Sequence, residues 1–504
     1  MRFFVWITLV FLSLEMKAQA PFKQSYDITG DAFTKAYHCN TLDSGMILLT
    51  RSSNVTGGQY FTIFKTTANG NLQWSQRFVQ PGNCNISNIV QLPDSGYFFC
   101  FVELNFPEKY YLTRLDKNGN LVYCTSLTPP PNYIVAFDPQ CLSRGDGNVY
   151  VGCDLHNLTN GVFGWHLFEI DGAGNVVFSN CYNGGTLKCL ERGFSVCANG
   201  DLLMTGYQRD SVAMHYGPVI TRIDSGGTLL WSNLYLDATT DIAGISVFEM
   251  ANGNIVSTAM HTYPGNETIR LETDASGNLL RARDYGSPTN FLSPFTSRAV
   301  ENGSMIIFGT TNGGSYCLKL DSTGNILYSQ RYFSIVPNST EISFSGYSFG
   351  GVDYTTNHAT IFTCDSALVS CSGDTISVDT GSISFQTIAI PSSYPVQLFD
   401  TLFSLLDTLW AAVNMKDCET SSVTEINSEN EISVFPVPAT DFISVDCIPA
   451  PDNIRVCDMT GRVILNVQSP EIHNEIDVTT LAAGCYLINV TTFREHHSFR
   501  IIVQ

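Results

Sequence analysis

Positive charge is what this chain has least of. It carries 26 Lys and Arg against 46 Asp and Glu, a formal net charge of −20, and only 14% of its 504 residues are charged. The ordinary share is about a quarter. A nucleic-acid backbone would be repelled, and an anionic membrane equally so. Apolar runs long enough to span a bilayer are also missing, and the one near the start, Phe3 to Leu14, is about twelve residues, too short to cross. There is no His-Glu-x-x-His and no Walker loop. No Cys-x-x-Cys occurs and the nine His are scattered, so no zinc spacing is present and no metal is expected.

What is present is a repeat. A glycine hairpin turn occurs six times: Thr67-Ala-Asn-Gly70, Asp116-Lys-Asn-Gly119, Asp171-Gly-Ala-Gly174, Asp224-Ser-Gly-Gly227, Asp274-Ala-Ser-Gly277 and Asp321-Ser-Thr-Gly324. The glycines lie 49, 55, 53, 50 and 47 residues apart. The Asp bonds the backbone two residues on, and the Gly takes the left-handed conformation of the turn. Bulky residues follow at even offsets. Four after the Gly come Trp74, Tyr123, Phe178, Trp231 and Tyr328; eight after it come Phe78, Leu127, Tyr182, Tyr235, Tyr285 and Tyr332. Even spacing puts them on one face of a strand.

A second glycine series, Gly45, Gly96, Gly147, Gly200, Gly253 and Gly303, interleaves at spacings of 51, 51, 53, 53 and 50. Each precedes an apolar, β-rich run. One repeat therefore holds four short antiparallel strands, a to d, which is a propeller blade. A degenerate seventh copy follows, with Ser343 to Tyr347 as a, His358 to Cys364 as c and Ala367 to Cys371 as d. The expected fold is all-β: a seven-bladed propeller over residues 21–372, six or eight blades being the alternatives, followed by a small C-terminal β-sandwich.

The motif Asp-x-x-Gly-Asn-aliphatic-x-aromatic-Ser resembles that of the PQQ-like and WD40-like bacterial propellers, best at Gly70-Asn-Leu-Gln-Trp-Ser and Gly227-Thr-Leu-Leu-Trp-Ser. The resemblance implies architecture only; the quinone cofactor is not implied, and no cofactor is expected.

The first twenty residues read as a secretory signal: Arg2, the short apolar run, and a small-x-small site at Ala18-Gln-Ala20. Residues 373–430 form a connecting segment and linker. Within it positions 398, 402, 405 and 409 fit a helical stripe, while the β context argues for strands, so both stay open. Residues 431–504 show alternating apolar runs broken by turn signals, as in a sandwich of about seven strands. They resemble the C-terminal sorting domain of the type IX secretion system of the Bacteroidetes. Pro436, Pro438, Gly461, Arg462, Leu481, Gly484 and Tyr486 carry the match. A Val at position 437, where the family usually has Asn, is a departure. The resemblance implies passage through the type IX machinery, with a secreted or outer-membrane-surface location.

Export permits disulfides. Sixteen Cys occur, and the close candidates are Cys181 with Cys189, Cys364 with Cys371, and Cys447 with Cys457. Both tight-turn series fall on one rim of the propeller, so the variable loops fall on the other. Loops on a rigid scaffold are where binding usually resides. The candidate residues there are His156, Trp165, His215, Tyr216, His261 and Tyr263. The Asp of each hairpin reads as a turn former, since the EF-hand pattern is absent. The +4 aromatics read as inter-blade packing. No catalytic residue is singled out. The expected role is non-catalytic: binding a glycan or protein, or serving as a surface component. The alternative is a propeller enzyme acting on extracellular polysaccharide.

Overall fold

The computed structural model describes residues 21–419 and 432–503, apart from single residues and short stretches, the longest being 105–107, 186–188, 264–266, 371–373, 390–392, 396–398, 403–406, 409–412, 436–440, 459–462, 468–470 and 492–495. The expected signal lies outside the described residues. The chain divides into two compact units, Met1–Thr420 and Ser421–Gln504.

The first unit contains seven antiparallel sheets, and its seven blades close into a ring. In blade 1, strands a to d are Asp31–Asn40, Met46–Asn54, Gln59–Thr66 and Leu72–Val79. Blades 2 to 6 repeat this order over 84–128, 133–185, 189–236, 241–286 and 293–333. Blade 7 differs. Its strands a, b and c are Ile335–Ser343, Gly346–Asp353 and His358–Asp365, but its strand d is Phe22–Asp27, from the far end of the chain. The expected strand d at Ala367 to Cys371 is not used as one. Leu368 instead completes a turn with a φ of 67°.

A separate apolar core fills each seam between neighbouring blades. Phe22, Tyr26, Phe64 and Ile361 close the seam from blade 7 to blade 1. Corresponding clusters fill the other six seams. Every innermost strand a carries a register shift against strand b, and that of blade 5 carries two. Such a bulge sharpens the local twist.

The segment expected to be a mere connection is part of the propeller. From residue 374 to 419 it runs back around the ring, adding a fifth, outermost strand to blades 6, 5, 4, 3, 2, 1 and 7 in that order. The pairing positions step by about one heptad per blade: Thr380 opposite Tyr285, Thr387 opposite Tyr235, Ser393 opposite Tyr182, Asp400 opposite Leu127, Asp407 opposite Phe78 and Asn414 opposite Tyr26. Its apolar residues enter the seams: Ile376 between blades 5 and 6, Phe385 between 4 and 5, and Ile388 between 3 and 4. An outermost strand otherwise presents unpaired N–H and C=O groups, a template for aggregation. In blades 1, 2, 4 and 5 the belt covers the part of strand d nearer the loop rim, and in blade 7 it pairs with the whole of Phe22–Asp27. Its strands, not a helix, settle the open reading of this segment for the described residues.

The second unit is a sandwich of seven strands. A three-stranded sheet (Ile432–Phe435, Phe442–Cys447, His473–Asp477) faces a four-stranded one (Asn453–Asp458, Val463–Val467, Gly484–Thr491, His496–Val503). Ile443, Val445, Ile454, Val456, Ile488 and Ile501 form its core.

Candidate functional site

The strand order separates two rims. On the a–b and c–d rim, side chains are consumed by the fold. Asp116 Oδ1 accepts the N–H groups of Asn118 and Asn120, both at 2.8 Å, and its Oδ2 accepts Asn120 Nδ2 at 2.8 Å. Asp171, Asp274 and Asp321 repeat this. Hydrogen bonds from Asn175 hold the Asp171 carboxyl below its usual range. At Asp321 burial pushes upward, but Thr323 and Asn325 outweigh it and bring the carboxyl down to about 2. These carboxylates serve their own turns, as the sequence suggested.

The bulky residues at the +8 position have a second use. Tyr182, Tyr235 and Tyr285 donate their hydroxyls to the turn carbonyls of Gly227, Gly277 and Gly324 in the next blade, at 2.6, 2.7 and 2.7 Å. Tyr26 does the same to Gly70, and Tyr332 to Leu368. The +4 aromatics lie against the same turns. A Cβ placed on Gly119 would stand 2.7 Å from the Trp74 ring, and one on Gly227 2.7 Å from Phe178.

The loop rim is where side chains remain available. Between blades 4 and 5 it carries a group of polar and aromatic side chains. From blade 4, His215 Nδ1 lies 3.0 Å from Asp241 Oδ1 of blade 5, and the Tyr216 N–H donates to the same oxygen at 2.9 Å. Tyr216 meets Tyr207 edge-on at 5.6 Å, and the Arg209 guanidinium lies 5.7 Å from the Tyr216 ring. From blade 5, His261 Nε2 lies 3.8 Å from Glu267 Oε2. His261 is buried, and its Nδ1 has no hydrogen-bond partner. Burial alone would raise the Asp237 carboxyl; hydrogen bonds from Thr240 and Thr239, with the nearby His261, hold it low instead.

Of the six candidate binding residues, His215 and Tyr216 therefore meet at Asp241, and His261 stands on strand b of blade 5, paired with Ile242 beside it. Tyr263 pairs with Asp241 across the same sheet, but its side chain lies outside the described residues. His156 stands apart in blade 3, stacked on Phe163 at 3.7 Å, and burial lowers its pKa. Trp165 is a correction. It sits inside strand c of blade 3 (Phe163–Ile170), fully buried in the seam with blade 4, where it packs as core rather than facing a ligand.

The sequence reading missed Glu267, which has no local signal, and a contact across the channel. The Lys35 ammonium, on strand a of blade 1, bonds Asp138 on strand a of blade 3, a blade that is not its neighbour. Burial and the Asp138 charge push the Tyr37 hydroxyl well up. Glu108, on the loop rim of blade 2, bonds the Val135 N–H, and burial raises its carboxyl. A Gly-x-Ser-x-Gly match, Gly346 to Gly350, lies within strand b of blade 7. Ser348 is fully buried there against His38 Nε2 at 3.0 Å, without the strand-to-helix turn that exposes a nucleophile.

The expected disulfides do not form at the cysteines that can be described. Cys181 and Cys364 are buried thiols packed in apolar seams, and Cys457 is a buried thiol that accepts from Asn489 Nδ2 at 3.4 Å. The side chains of Cys189, Cys371 and Cys447 lie outside the described residues. No group of three or more His, Cys, Asp or Glu suited to a metal occurs among the described residues.

In the second unit, Leu481 and Tyr486 pack on the sandwich core, and the Tyr486 hydroxyl donates to Ala482 O at 2.8 Å. Gly484 is the first residue of the strand Gly484–Thr491, to which Tyr486 belongs. Pro436, Pro438, Gly461 and Arg462 lie outside the described residues. Residues 433–504 match the family described as a secretion system C-terminal sorting domain. The tail is a type IX sorting domain. It indicates export to the cell surface or the extracellular space. No helix among the described residues is long and apolar enough to cross a membrane.

No curated protein matches the chain. Among solved structures, it is similar to the WD40 domain of Toxoplasma gondii coronin (11% identity, covering 70% of this chain and 91% of that one, TM-score 0.42). It is also similar to the α-L-arabinofuranosidase Arb93A of Fusarium graminearum (9%, 57% and 94%, 0.41) and to PorZ, a surface component of the type IX secretion system of Porphyromonas gingivalis (8%, 94% and 93%, 0.23). None of these scores reaches 0.5, so the fold rests on strand order and seam packing.

Proposed function

We propose that this exported protein is a non-catalytic binder of the cell surface or medium, recognising a glycan or a protein on its loop rim. The observation that carries this reading is the group of side chains around Asp241 between blades 4 and 5. There the His215 ring and the Tyr216 backbone N–H share one oxygen of Asp241, while the hairpin rim spends its polar groups on its own turns. Orienting a surface His costs side-chain entropy, and a preorganised site recovers that cost on binding. A screen of the full chain against a glycan array and a panel of extracellular proteins tests it. A ligand lost in Tyr216→Ala and His215→Ala is expected; binding indifferent to both variants would sink the reading.

The second reading, an enzyme acting on extracellular polysaccharide, draws on Glu108. A carboxyl raised by burial is what a glycosidase uses as its acid. Reducing-sugar release from polysaccharides, abolished in Glu108→Gln, would favour it over the binder.

A further inference from the structure

Blade 6 brings an exposed ring to the channel. Its strand a, Ser293–Ala299, packs between the innermost strands of blades 5 and 7. Its two faces are therefore taken up by neighbours, and a side chain left exposed on it borders the channel. Phe295, 44% exposed, is such a side chain. The register shifts between Pro294 and Thr296, so Phe295 is the bulged residue, opposite no partner on strand b. A bulge re-aims a side chain in this way. Gly309 on strand b makes room for it, since a Cβ there would stand 2.7 Å from Pro294 Cα. Phe291, 38% exposed, lies on the loop that leads into the same strand. Buried Leu292 anchors that loop, its carbonyl accepting from Thr268 Oγ1 at 2.9 Å. Asn312, on the b–c loop, ties it from the other side by donating to Thr289 O at 3.1 Å. Among the described residues of the propeller, one other aromatic ring is as exposed, Tyr328, and it stands on the hairpin half of its strand.

We propose that this part of the channel mouth binds a neutral oligosaccharide, stacked on Phe291 and Phe295. The site is separate from the side chains around Asp241 and goes beyond the binding proposed there. No charged residue occurs from Tyr285 to Ser297 or from Asn302 to Leu318, so both loops that blade 6 gives to this rim are uncharged. They hold no group suited to an ionic ligand. The nearest charge on the strand, Arg298, lies farther toward the hairpin rim, where it pairs with Ile306. Beside the rings the same segments carry Thr289, Asn290, Thr296 and Asn312. Hydroxyls and amides both donate and accept, as sugar hydroxyls do. The face of a phenyl ring is the negative side of its quadrupole and attracts the polarised C–H groups of a pyranose. A protein partner wants a broad apolar centre, and two rings set among hydroxyls do not make one. The rings are four residues apart, at most about 14 Å of chain, so one short saccharide reaches both.

The test titrates the full chain by calorimetry with cellopentaose, mannopentaose and xylopentaose. At least one should bind, with an affinity indifferent to salt. Phe295→Ala and Phe291→Ala should each weaken it about tenfold, while Phe295→Tyr, which keeps a ring, should retain it. Both rings are exposed, so the truncations spare the core, and thermal melts matching the parent check this. Leu280→Ala removes an equally exposed apolar side chain from strand d of blade 5 and must leave affinity unchanged. Unaltered binding in Phe295→Ala, or equal weakening in Leu280→Ala, overturns the inference. So does a panel in which no pentaose binds. A saccharide lost in Tyr216→Ala but kept in Phe295→Ala overturns it too and leaves the reading around Asp241 standing. Loss in Phe295→Ala with binding kept in Tyr216→Ala supports it.

Discussion

The Tyr285 hydroxyl donates a 2.7 Å hydrogen bond to the carbonyl of Gly324, fastening strand d of blade 5 to the hairpin of blade 6. The contact is buried, and it recurs around the ring wherever the +8 residue is Tyr. Blades 1 and 2 carry Phe78 and Leu127 there and do without it. Tyr285→Phe should therefore fold normally and lose about 1 kcal/mol, the ordinary net value of one such bond. Denaturant titration reads this as a lower midpoint at unchanged slope. An unchanged midpoint would show that the hydroxyl adds nothing to seam packing.

Gly119 has a φ of 85°, and its missing Cβ leaves room for the Trp74 ring. Gly119→Ala must carry a side chain in the left-handed region, at about 1–2 kcal/mol, and must push the indole aside. A loss above 2 kcal/mol is expected. Gly200→Ala has a similar φ of 88° but open space around it, so it should show the backbone cost alone. Equal losses at the two sites would refute the contact with Trp74.

Ending the chain at residue 372 removes the belt from all seven blades. Ending it at 420 keeps it. The shorter protein should melt earlier and self-associate through bare strand edges, while the longer one stays monodisperse. Chromatography and a thermal melt on both decide the matter, and identical behaviour would mean the belt is ornamental.

His38 and His166 are fully buried, and burial lowers the pKa of each to about 3; for His38 the Arg298 charge adds to it. Unfolded His takes up a proton near pH 6.5. Between that pH and about 3 the unfolded chain binds protons that the folded chain refuses. Their contribution is complete above pH 6.5 and is lost as pH falls through this window, at up to about 1.4 kcal/mol per pH unit for each His. His38→Gln should flatten the stability profile in that range, and an unaltered profile would contradict the burial account.

Much of the propeller was legible because its turns are local. Asp116 and Gly119 carry their own geometry within four residues, so their repetition shows in the sequence alone. The strand that closes the ring was not legible. Phe22–Asp27 is separated from its partner His358–Asp365 by more than three hundred residues, and no local pattern says which blade a terminal strand will join. The belt misled for a physical reason. The step from Asp400 to Asp407 carries the chain from blade 2 to blade 1, and two helical turns take about the same number of residues. One apolar period thus serves both structures. Trp165 was misplaced because the loop before it is short: strand c already begins at Phe163, with nothing in the sequence to mark the border. On the loop rim, His215, Tyr216 and Asp241 could be found as loop residues, but Glu267 comes beside His261 only through the pairing of strands.

The belt also has a mechanical direction. Its last strand, Val413–Glu419, lies on blade 7, and the strands before it follow the ring backwards to blade 6. Tension drawn on the chain beyond residue 419 would load blade 7 first, then blade 1, and so on round to blade 6. The strap would peel off like tape, one short strand at a time, and each release would leave the four older strands of its blade in place.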